Sequence, residues 1–173
     1  MAEPLILDPP PAGAASSPAG RVAAPGTFVT FELSGQTFGV SVGHVREILD
    51  RQEVARLPNA SPGCAGLIDT RGESIPLIDL AERLAMAAGE PGADTRIIVF
   101  EVQIDGAARP IGVLADRVLN VAQIAAEAIE PTPRAAVIEG SARGLRGLAR
   151  VEGRLVVLLD VAELFGAEPM LAL

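Results

Sequence analysis

A nineteen-residue segment occurs twice in this chain, and this internal repeat constrains the fold more than any other feature. Residues 66–84 read GLIDTRGESIPLIDLAERL, and residues 147–165 read GLARVEGRLVVLLDVAELF. The two segments align without a gap at an offset of 81, with seven identical positions, and most other positions exchange one apolar residue for another. Upstream, Phe38-Gly39-Val40 is similar to Ile111-Gly112-Val113 at an offset of 73. The repeat predicts two similar halves with the same order of elements.

Closely spaced hairpins are predicted in both halves. The pattern predicts strands at 27–33, 37–42, 64–68, 74–78, 96–102, 108–113, 145–151 and 154–159, and short helices at 80–86 and 161–165. Turns such as Arg71-Gly72 and Asp105-Gly106 contain the Gly that supplies the positive φ of a tight hairpin. Many hairpins and few helices favour a mainly β fold of small barrels or a sandwich over a βαβ layer.

The ends of the chain differ in composition from its body. Residues 1–26 are rich in Pro and Ala without an apolar period, so we expect a disordered tail. Residues 166–173 are expected to be a frayed C-terminus. The body, 27–165, is predicted to be a single domain with two β-rich subdomains, about 28–85 and 96–165, which possibly exchange an element and leave a cleft between them.

Composition removes most catalytic and cofactor chemistry. One cysteine, Cys64, and one histidine, His44, exclude a disulfide framework and the zinc sites that need several such ligands. All 14 basic residues are Arg, so lysine nucleophiles and a Walker lysine are absent. A net charge of −8 disfavours nucleic acid as a partner. We therefore predict no cofactor and no metal, with Cys64 an inert buried thiol and His44 a surface or turn residue.

Targeting signals are not predicted. The first residues lack a basic region, and no apolar run approaches the roughly 18 residues that span a bilayer. We expect a cytoplasmic protein without direct membrane insertion.

Two aspartates at equivalent places, Asp79 and Asp160, have a catalytic and a structural interpretation. Each follows a strand and precedes a short helix, with Glu82 or Glu163 three residues further on. This spacing is typical of a helix N-cap with a capping-box-like partner, which is worth about 1 kcal/mol. We predict that all four residues are structural caps.

Arg71 and Glu47 are charges that the repeat does not conserve between the halves. Arg71 lies beside the hairpin glycine Gly72, and Asp69 precedes it by two residues. Glu47 lies in the segment 45–48, VREI, whose apolar members we expect to pack inward. The equivalent positions in the second half are Glu152 and Asn120. The charges mark either a specialised surface or a solvated ion pair worth 0–1 kcal/mol, roughly, and the residues alone leave the two interpretations even.

The chain resembles the CheW-like family of chemosensory coupling proteins over residues 27–165. In order, the similar segments are FVTFELSGQTFGV from Phe28, VREI at 45–48, GLIDTRGESIPLIDL at 66–80, RIIVFEV at 96–102, IGVLADRV at 111–118, IEPTP at 129–133 and LRGLARVEGRLVVLLDV at 145–161. The resemblance implies two five-stranded, SH3-like β-barrel subdomains around a shared hydrophobic core, and no enzymatic activity.

The resemblance also implies the partners. Such a protein binds the regulatory domain of a CheA-type histidine kinase and the cytoplasmic signalling tip of chemoreceptors, and is recruited to receptor arrays at the inner membrane. Glu47 and Arg71 would form a charged pair on the receptor-facing side, together with Asp69 and Gly72 of the hairpin. Apolar groove candidates are Val42, Val45 and Leu114.

One departure from the family pattern concerns the residues before the hairpin turn. Asp69-Thr70 replaces the usual Asn-Leu, so Asp69 could compete with Glu47 for Arg71, and Thr70 gives up apolar contact area. This departure suggests a divergent or non-motility paralogue.

The alternative function class is a small-molecule-binding double barrel that uses the cleft between the subdomains, with Asp69, Arg71 and His44 as its polar groups. The cognate receptor and kinase, the cellular output and the oligomeric state in an array do not follow from the sequence.

Overall fold

The computed structural model describes residues 26–133 and 143–166. Its strands are β1 Gly26–Leu33, β2 Gln36–Ser41, β3 Val45–Asp50, β4 Cys64–Thr70, β5 Glu73–Ile78, β6 Arg96–Ile104, β7 Ala107–Ala115, β8 Arg117–Ile124, β9 Leu145–Val151 and β10 Arg154–Leu159. Its helices are α1 Leu80–Arg83 and α2 Val161–Gly166, and single 3₁₀ turns lie at Val42–His44 and Ala126–Ala128. The predicted tail and C-terminus fall outside the described residues, apart from Gly26 and Gly166.

Two five-stranded sheets contain all ten strands. Sheet 1 has the order β8-β1-β2-β10-β9, and sheet 2 has the order β3-β6-β7-β5-β4. The two sheets have the same strand order, because the counterparts of sheet 1 strands in the other repeat are, in order, β3, β6, β7, β5 and β4. Each sheet has one parallel pair at the corresponding place, β2 with β10 and β5 with β7, and all other pairs are antiparallel. The prediction of a mainly β fold with two five-stranded subdomains is therefore confirmed.

The sheets do not coincide with the two repeats along the chain. Sheet 1 takes β1 and β2 from the first repeat and β8, β9 and β10 from the second, whereas sheet 2 takes the remaining strands of both. The boundaries 28–85 and 96–165 therefore delimit the repeats in sequence but not the sheets in space. The physical reason is that the segments after β2 and after β7 each cross from one sheet to the other.

Hairpin turns of one type join the predicted strand pairs. The two central residues of each turn both have positive φ, as in Arg71 at 53° and Gly72 at 78°, or Asp105 at 52° and Gly106 at 77°. This geometry is that of a type I′ turn, whose twist matches the twist of the flanking strands. The polar-Gly pairs in the sequence were therefore reliable hairpin signals. The edge strands β3 and β8 were not predicted as strands.

The largest hydrophobic cluster lies between the two sheets. It contains side chains of both sheets and of both helices, including Phe31, Phe38, Phe100 and Phe165, each at most 4% exposed. Each sheet has one smaller cluster on its other face, around Phe28 in sheet 1 and around Ile97 in sheet 2. Each sheet thus curls around its own small core while its outer face contributes to a shared core, as the family resemblance implied.

The helices are held by aspartates and by each other. The Asp79 side chain accepts a hydrogen bond from the Glu82 backbone N–H at 3.0 Å, and the Asp160 side chain accepts one from Glu163 at 3.1 Å. These are N-cap contacts, so both aspartates serve the helices they precede. Arg83 on α1 donates from Nε to the Leu164 carbonyl on α2 at 2.9 Å. Within the described residues, no helix is long and apolar enough to cross a membrane.

A glycine in each sheet allows a chain segment to cross its edge. Gly66 and Gly147 are equivalent in the repeat, with φ of 142° and 158°. A Cβ atom on Gly66 would lie 2.4 Å from the Ala55 carbonyl oxygen, and one on Gly147 would lie 2.7 Å from that of Glu130. Beside these glycines, Ala55 pairs with Leu67 and Glu130 with Leu148 as isolated bridges. The repeated glycine therefore has a steric cause.

We predict that Gly66→Ala and Gly147→Ala each lower the free energy of unfolding by about 3 kcal/mol or more, because a backbone oxygen occupies the space of the new methyl group. Gly106→Ala is the matched control, since its φ is also positive but nothing lies within 4 Å of the added Cβ. The control should cost only about 1–2 kcal/mol. Urea denaturation of the three variants tests this, and equal losses at all three positions would contradict it.

Candidate protein-interaction surface

An ion pair joins an edge strand of sheet 2 to the tip of the β4–β5 hairpin. Glu47, on β3, accepts a hydrogen bond at Oε2 from Arg71 Nη2 at 2.8 Å. The side chain of Glu47 is only 16% exposed, whereas that of Arg71 is 78% exposed. Glu47 therefore anchors one corner of a guanidinium whose surface mostly faces solvent, and a planar group with five N–H donors then has donors available for a partner.

The turn geometry places Arg71 at the tip of the hairpin. Asp69 Oδ1 accepts a hydrogen bond from the Gly72 backbone N–H at 3.1 Å, which stabilises the turn. We expected Asp69 to compete with Glu47 for Arg71. Instead, the Asp69 carboxylate accepts from the backbone of the turn, and Arg71 contacts Glu47. Thr70 is partly buried, and its hydroxyl accepts a hydrogen bond from Gln52 Nε2 at 3.3 Å.

A second ion pair lies beside the first and was not predicted. Arg46 Nη2 donates to Glu73 Oε2 at 2.9 Å. The hydrogen bond to Glu73 and then the charge of Glu73 raise the pKa of Arg46 above its ordinary value. The sequence contains a signal for this pair, because the repeat does not conserve its charges: the equivalent residues in the second half are Leu119 and Arg154.

One oxygen of Glu47 has no hydrogen-bond partner. Oε1 is buried and unpaired, and the residue opposite Glu47 in the β3–β6 register is Val99. In sheet 1 the equivalent residues are Asn120 and Thr30, and there the Thr30 hydroxyl lies 2.6 Å from Asn120 Oδ1. A buried acceptor without a donor costs about 1–3 kcal/mol. Sheet 2 has Val99 at the position where sheet 1 has Thr30. Glu47 therefore depends on Arg71 for a hydrogen bond.

The apolar groove candidates separate into two environments. Val42 is 43% exposed in the 3₁₀ turn where the chain passes from sheet 1 to sheet 2, and Val45 is partly buried against the shared core. Leu114 is partly buried against the inner core of sheet 2. Ile48, expected to pack inward with Val45, is 42% exposed, because residues three apart in a strand lie on opposite faces, and the partly buried residues of β3 are Val45, Glu47 and Leu49.

The polar groups of the alternative cleft hypothesis do not form a chemical constellation. Asp69 caps the turn and Arg71 contacts Glu47, while His44 ends the 3₁₀ turn at 42–44. Cys64 is partly buried at the start of β4. Among the residues that the structure describes, no group of three or more His, Cys, Asp and Glu side chains is placed to hold a metal ion.

Together these features are those of a protein-interaction domain. A duplicated pair of curled β-sheets presents an anchored arginine, two adjacent ion pairs and an exposed valine at a sheet crossing, which are groups suited to protein contacts.

Comparison with known proteins assigns the family. The model of the CheW-like domain matches residues 27–168. Chemotaxis protein CheW of Rhizobium meliloti (strain 1021) is 31% identical over 141 residues, which cover 82% of this chain and 88% of the relative. Chemotaxis protein CheW of Klebsiella aerogenes is 29% identical over 143 residues, or 83% of each chain. The chain therefore belongs to the CheW-like family, as the sequence resemblance indicated.

A solved structure agrees with this assignment. The scaffolding protein TtCheW from Thermoanaerobacter tengcongensis superposes with a TM-score of 0.70 and 26% sequence identity, covering 90% of this chain and 96% of that one. The comparisons support a chemotaxis scaffold or adaptor and do not favour the small-molecule alternative.

We predict that Val99→Thr stabilises the protein by about 0.5–1.5 kcal/mol, because its hydroxyl supplies the donor that Glu47 Oε1 lacks. Val113→Thr is the matched control, since Val113 is also 0% exposed but lies in the shared apolar core. The control should destabilise by about 1–3 kcal/mol. Thermal and urea unfolding measure both changes, and equal destabilisation by the two substitutions would contradict the prediction.

Proposed function

We propose that this chain is a non-enzymatic cytoplasmic adaptor that couples chemoreceptors to a CheA-type histidine kinase in a signalling array at the inner membrane. The observation that carries the proposal is the match of the CheW-like domain over residues 27–168, joined by a scaffolding protein of the same fold. An adaptor needs surfaces and no reaction centre, and the most specialised surface of this chain is a charged one.

The receptor-facing surface, in this proposal, consists of Val42, Val45, Glu47 and Arg71. Exposed apolar area at Val42 would contribute affinity, since burial of apolar surface is the main driving force in association. Arg71 would fix the position of the partner through hydrogen bonds, because its guanidinium is held at one corner and exposed elsewhere. Asp69 and Gly72 would serve indirectly by fixing the turn that presents Arg71.

Leu114 has a different place in this proposal. Because it packs partly buried against the inner core of sheet 2, it would support the shape of that sheet rather than contact the partner.

The coupling function is tested by reconstitution. We predict that the purified chain, added to receptor signalling fragments on vesicles and to the cognate kinase, raises kinase autophosphorylation above the level with receptor and kinase alone. The chain without receptor should leave the rate unchanged. An equal rate with and without the chain, together with no binding of the chain to receptor fragment or kinase in a pull-down at the same concentrations, would overturn the proposal.

The role of Arg71 is tested by Arg71→Asn, because asparagine tolerates positive φ and is favoured in a type I′ turn. We predict about a tenfold weaker affinity for the receptor tip, which corresponds to about 1.4 kcal/mol. The free energy of unfolding should fall by about 1–3 kcal/mol, because the mostly buried Glu47 loses the donor to its Oε2, so affinity is measured at a temperature where the variant is folded.

The matched control is Asp105→Asn, which removes a charge at the same position of the β6–β7 turn. Calorimetric titration should give wild-type affinity for this control. Equal losses of affinity in both variants, or wild-type affinity of the folded Arg71→Asn variant, would show that Arg71 is not a recognition residue.

A further inference from the structure

The two sheets have equivalent gaps between their edge strands, and the side-chain contacts found among residues 26–133 and 143–166 cross the gap of sheet 2. In sheet 2 the gap lies between β3 and β4, and three contacts span it or the hairpin beside it. They are Arg46 with Glu73 at 2.9 Å, Glu47 with Arg71 at 2.8 Å, and Gln52 with Thr70 at 3.3 Å. These contacts tie the edge strand β3 and the residues after it to the opposite hairpin.

In sheet 1 the equivalent residues cannot make these contacts. The first pair becomes Leu119 and Arg154, the second becomes Asn120 and Glu152, and the third becomes Ala125 and Val151. A cleft of about 430 Å³ lies at this place, lined by Leu119, Asn120, Val151, Glu152 and Arg154 among others. The cleft therefore has a clear origin: the repeat keeps the gap and loses the side chains that bridge it.

Among the strands that the structure describes, none pairs with the edge of β8 beside this cleft. Residues 118–124 of β8 read VLNVAQI, without a charge, and Val121 is 62% exposed. The equivalent strand β3 carries Arg46, Glu47 and Asp50. Charged side chains on an edge strand oppose pairing with another chain, whereas a long uncharged edge favours it. β8 pairs with β1 on one side, and in sheet 1 it is an outermost strand.

We propose that the gap between β8 and β9 accepts an extended segment of a partner protein, which pairs with the open edge of β8 by strand addition. The segment would be apolar at alternate positions, to lie against Leu119 and Val121, and would carry a basic residue that reaches Glu152 at the rim. This mode combines main-chain hydrogen bonds for affinity with side-chain positions for specificity. The site is separate from the receptor-facing surface and does not depend on it.

Charge decides between the possible strands. The chain has a net charge of −8, so the edge of a second copy would approach against like charge. A basic segment of another protein has no such penalty, and Glu152 is exposed at the tip of the β9–β10 turn. The partner strand is therefore assigned to a different protein.

The experiment uses hydrogen exchange on the full-length chain. The probe is a synthetic peptide with blocked ends, Thr-Val-Arg-Val-Thr, and its control contains proline in place of the second valine. If the Kd is about 1 mM, about 5 mM peptide slows amide exchange in 117–124 by about sixfold. The amides of β3 should be unaffected, and the proline peptide should protect nothing.

A double variant tests whether the gap itself is required. Asn120→Glu with Glu152→Arg recreates in sheet 1 the ion pair that crosses sheet 2, and should abolish protection by the peptide while the fold is retained. Circular dichroism and thermal melting establish that the variant is folded. If this variant does not fold, Val121→Lys takes its place, because a lysine on the edge strand also opposes pairing.

Three outcomes would overturn the proposal. The first is no protection of β8 at the highest soluble peptide concentration. The second is equal protection of β3 and β8, which would indicate non-specific association. The third is protection of β8 that rises with protein concentration in the absence of peptide, which would assign the edge to a second copy.

Discussion

The parallel pairing of β2 with β10, and of β5 with β7, is the constraint on which the rest of the structure depends. Each pairing joins a strand of one repeat to a strand of the other, and without it each five-stranded sheet would divide into a two-stranded and a three-stranded piece. Isolated two-stranded hairpins are marginally stable in water. Neither repeat therefore contains a complete sheet, and the two repeats must fold as one cooperative unit.

The exchange of strands also explains where the duplication is strict and where it is relaxed. Gly66 and Gly147 are retained because each must admit a carbonyl oxygen at a sheet edge, and Asp79 and Asp160 are retained because each caps a helix. The gaps between the edge strands, β3 and β4 in sheet 2 and β8 and β9 in sheet 1, have no such structural requirement. There the two halves differ in nearly every polar residue, so sheet 2 carries bridging ion pairs and sheet 1 carries a cleft. Divergence is concentrated where the scaffold permits it.

Much of the fold followed from the sequence because its signals are local. The polar-Gly pairs predicted four hairpins, since few residues other than Gly favour the second turn position with φ near 77°. The edge strands β3 and β8 were missed because a half-exposed strand with a bulge, such as 45–50, loses the alternation of apolar and polar residues. The sheet order was not predictable, because pairing of β2 with β10 joins residues more than a hundred positions apart in sequence.

The charged surface around Arg71 was predictable in part, because a break in the repeat is also a local signal in the sequence. Broken repeat symmetry indicated Glu47 and Arg71, and the structure brings the two together. Arg46 and Glu73 were not predicted, although the repeat is broken at these positions too, where the other half has Leu119 and Arg154. The burial of Leu114 depends on how sheet 2 curls around its core, which no local pattern encodes.

The replacement of the usual Asn-Leu by Asp69-Thr70 acts on charge more than on shape. An asparagine Oδ1 accepts a backbone hydrogen bond as an aspartate does, so the contact with the Gly72 N–H is available to either residue. Thr70 exchanges apolar contact for a hydrogen bond from Gln52, which also fixes the hairpin. What remains is an exposed carboxylate two residues from an exposed guanidinium. Rim charges of this kind alter the rate of encounter and the choice of partner more than the bound geometry, so we propose that the replacement affects partner choice rather than the turn.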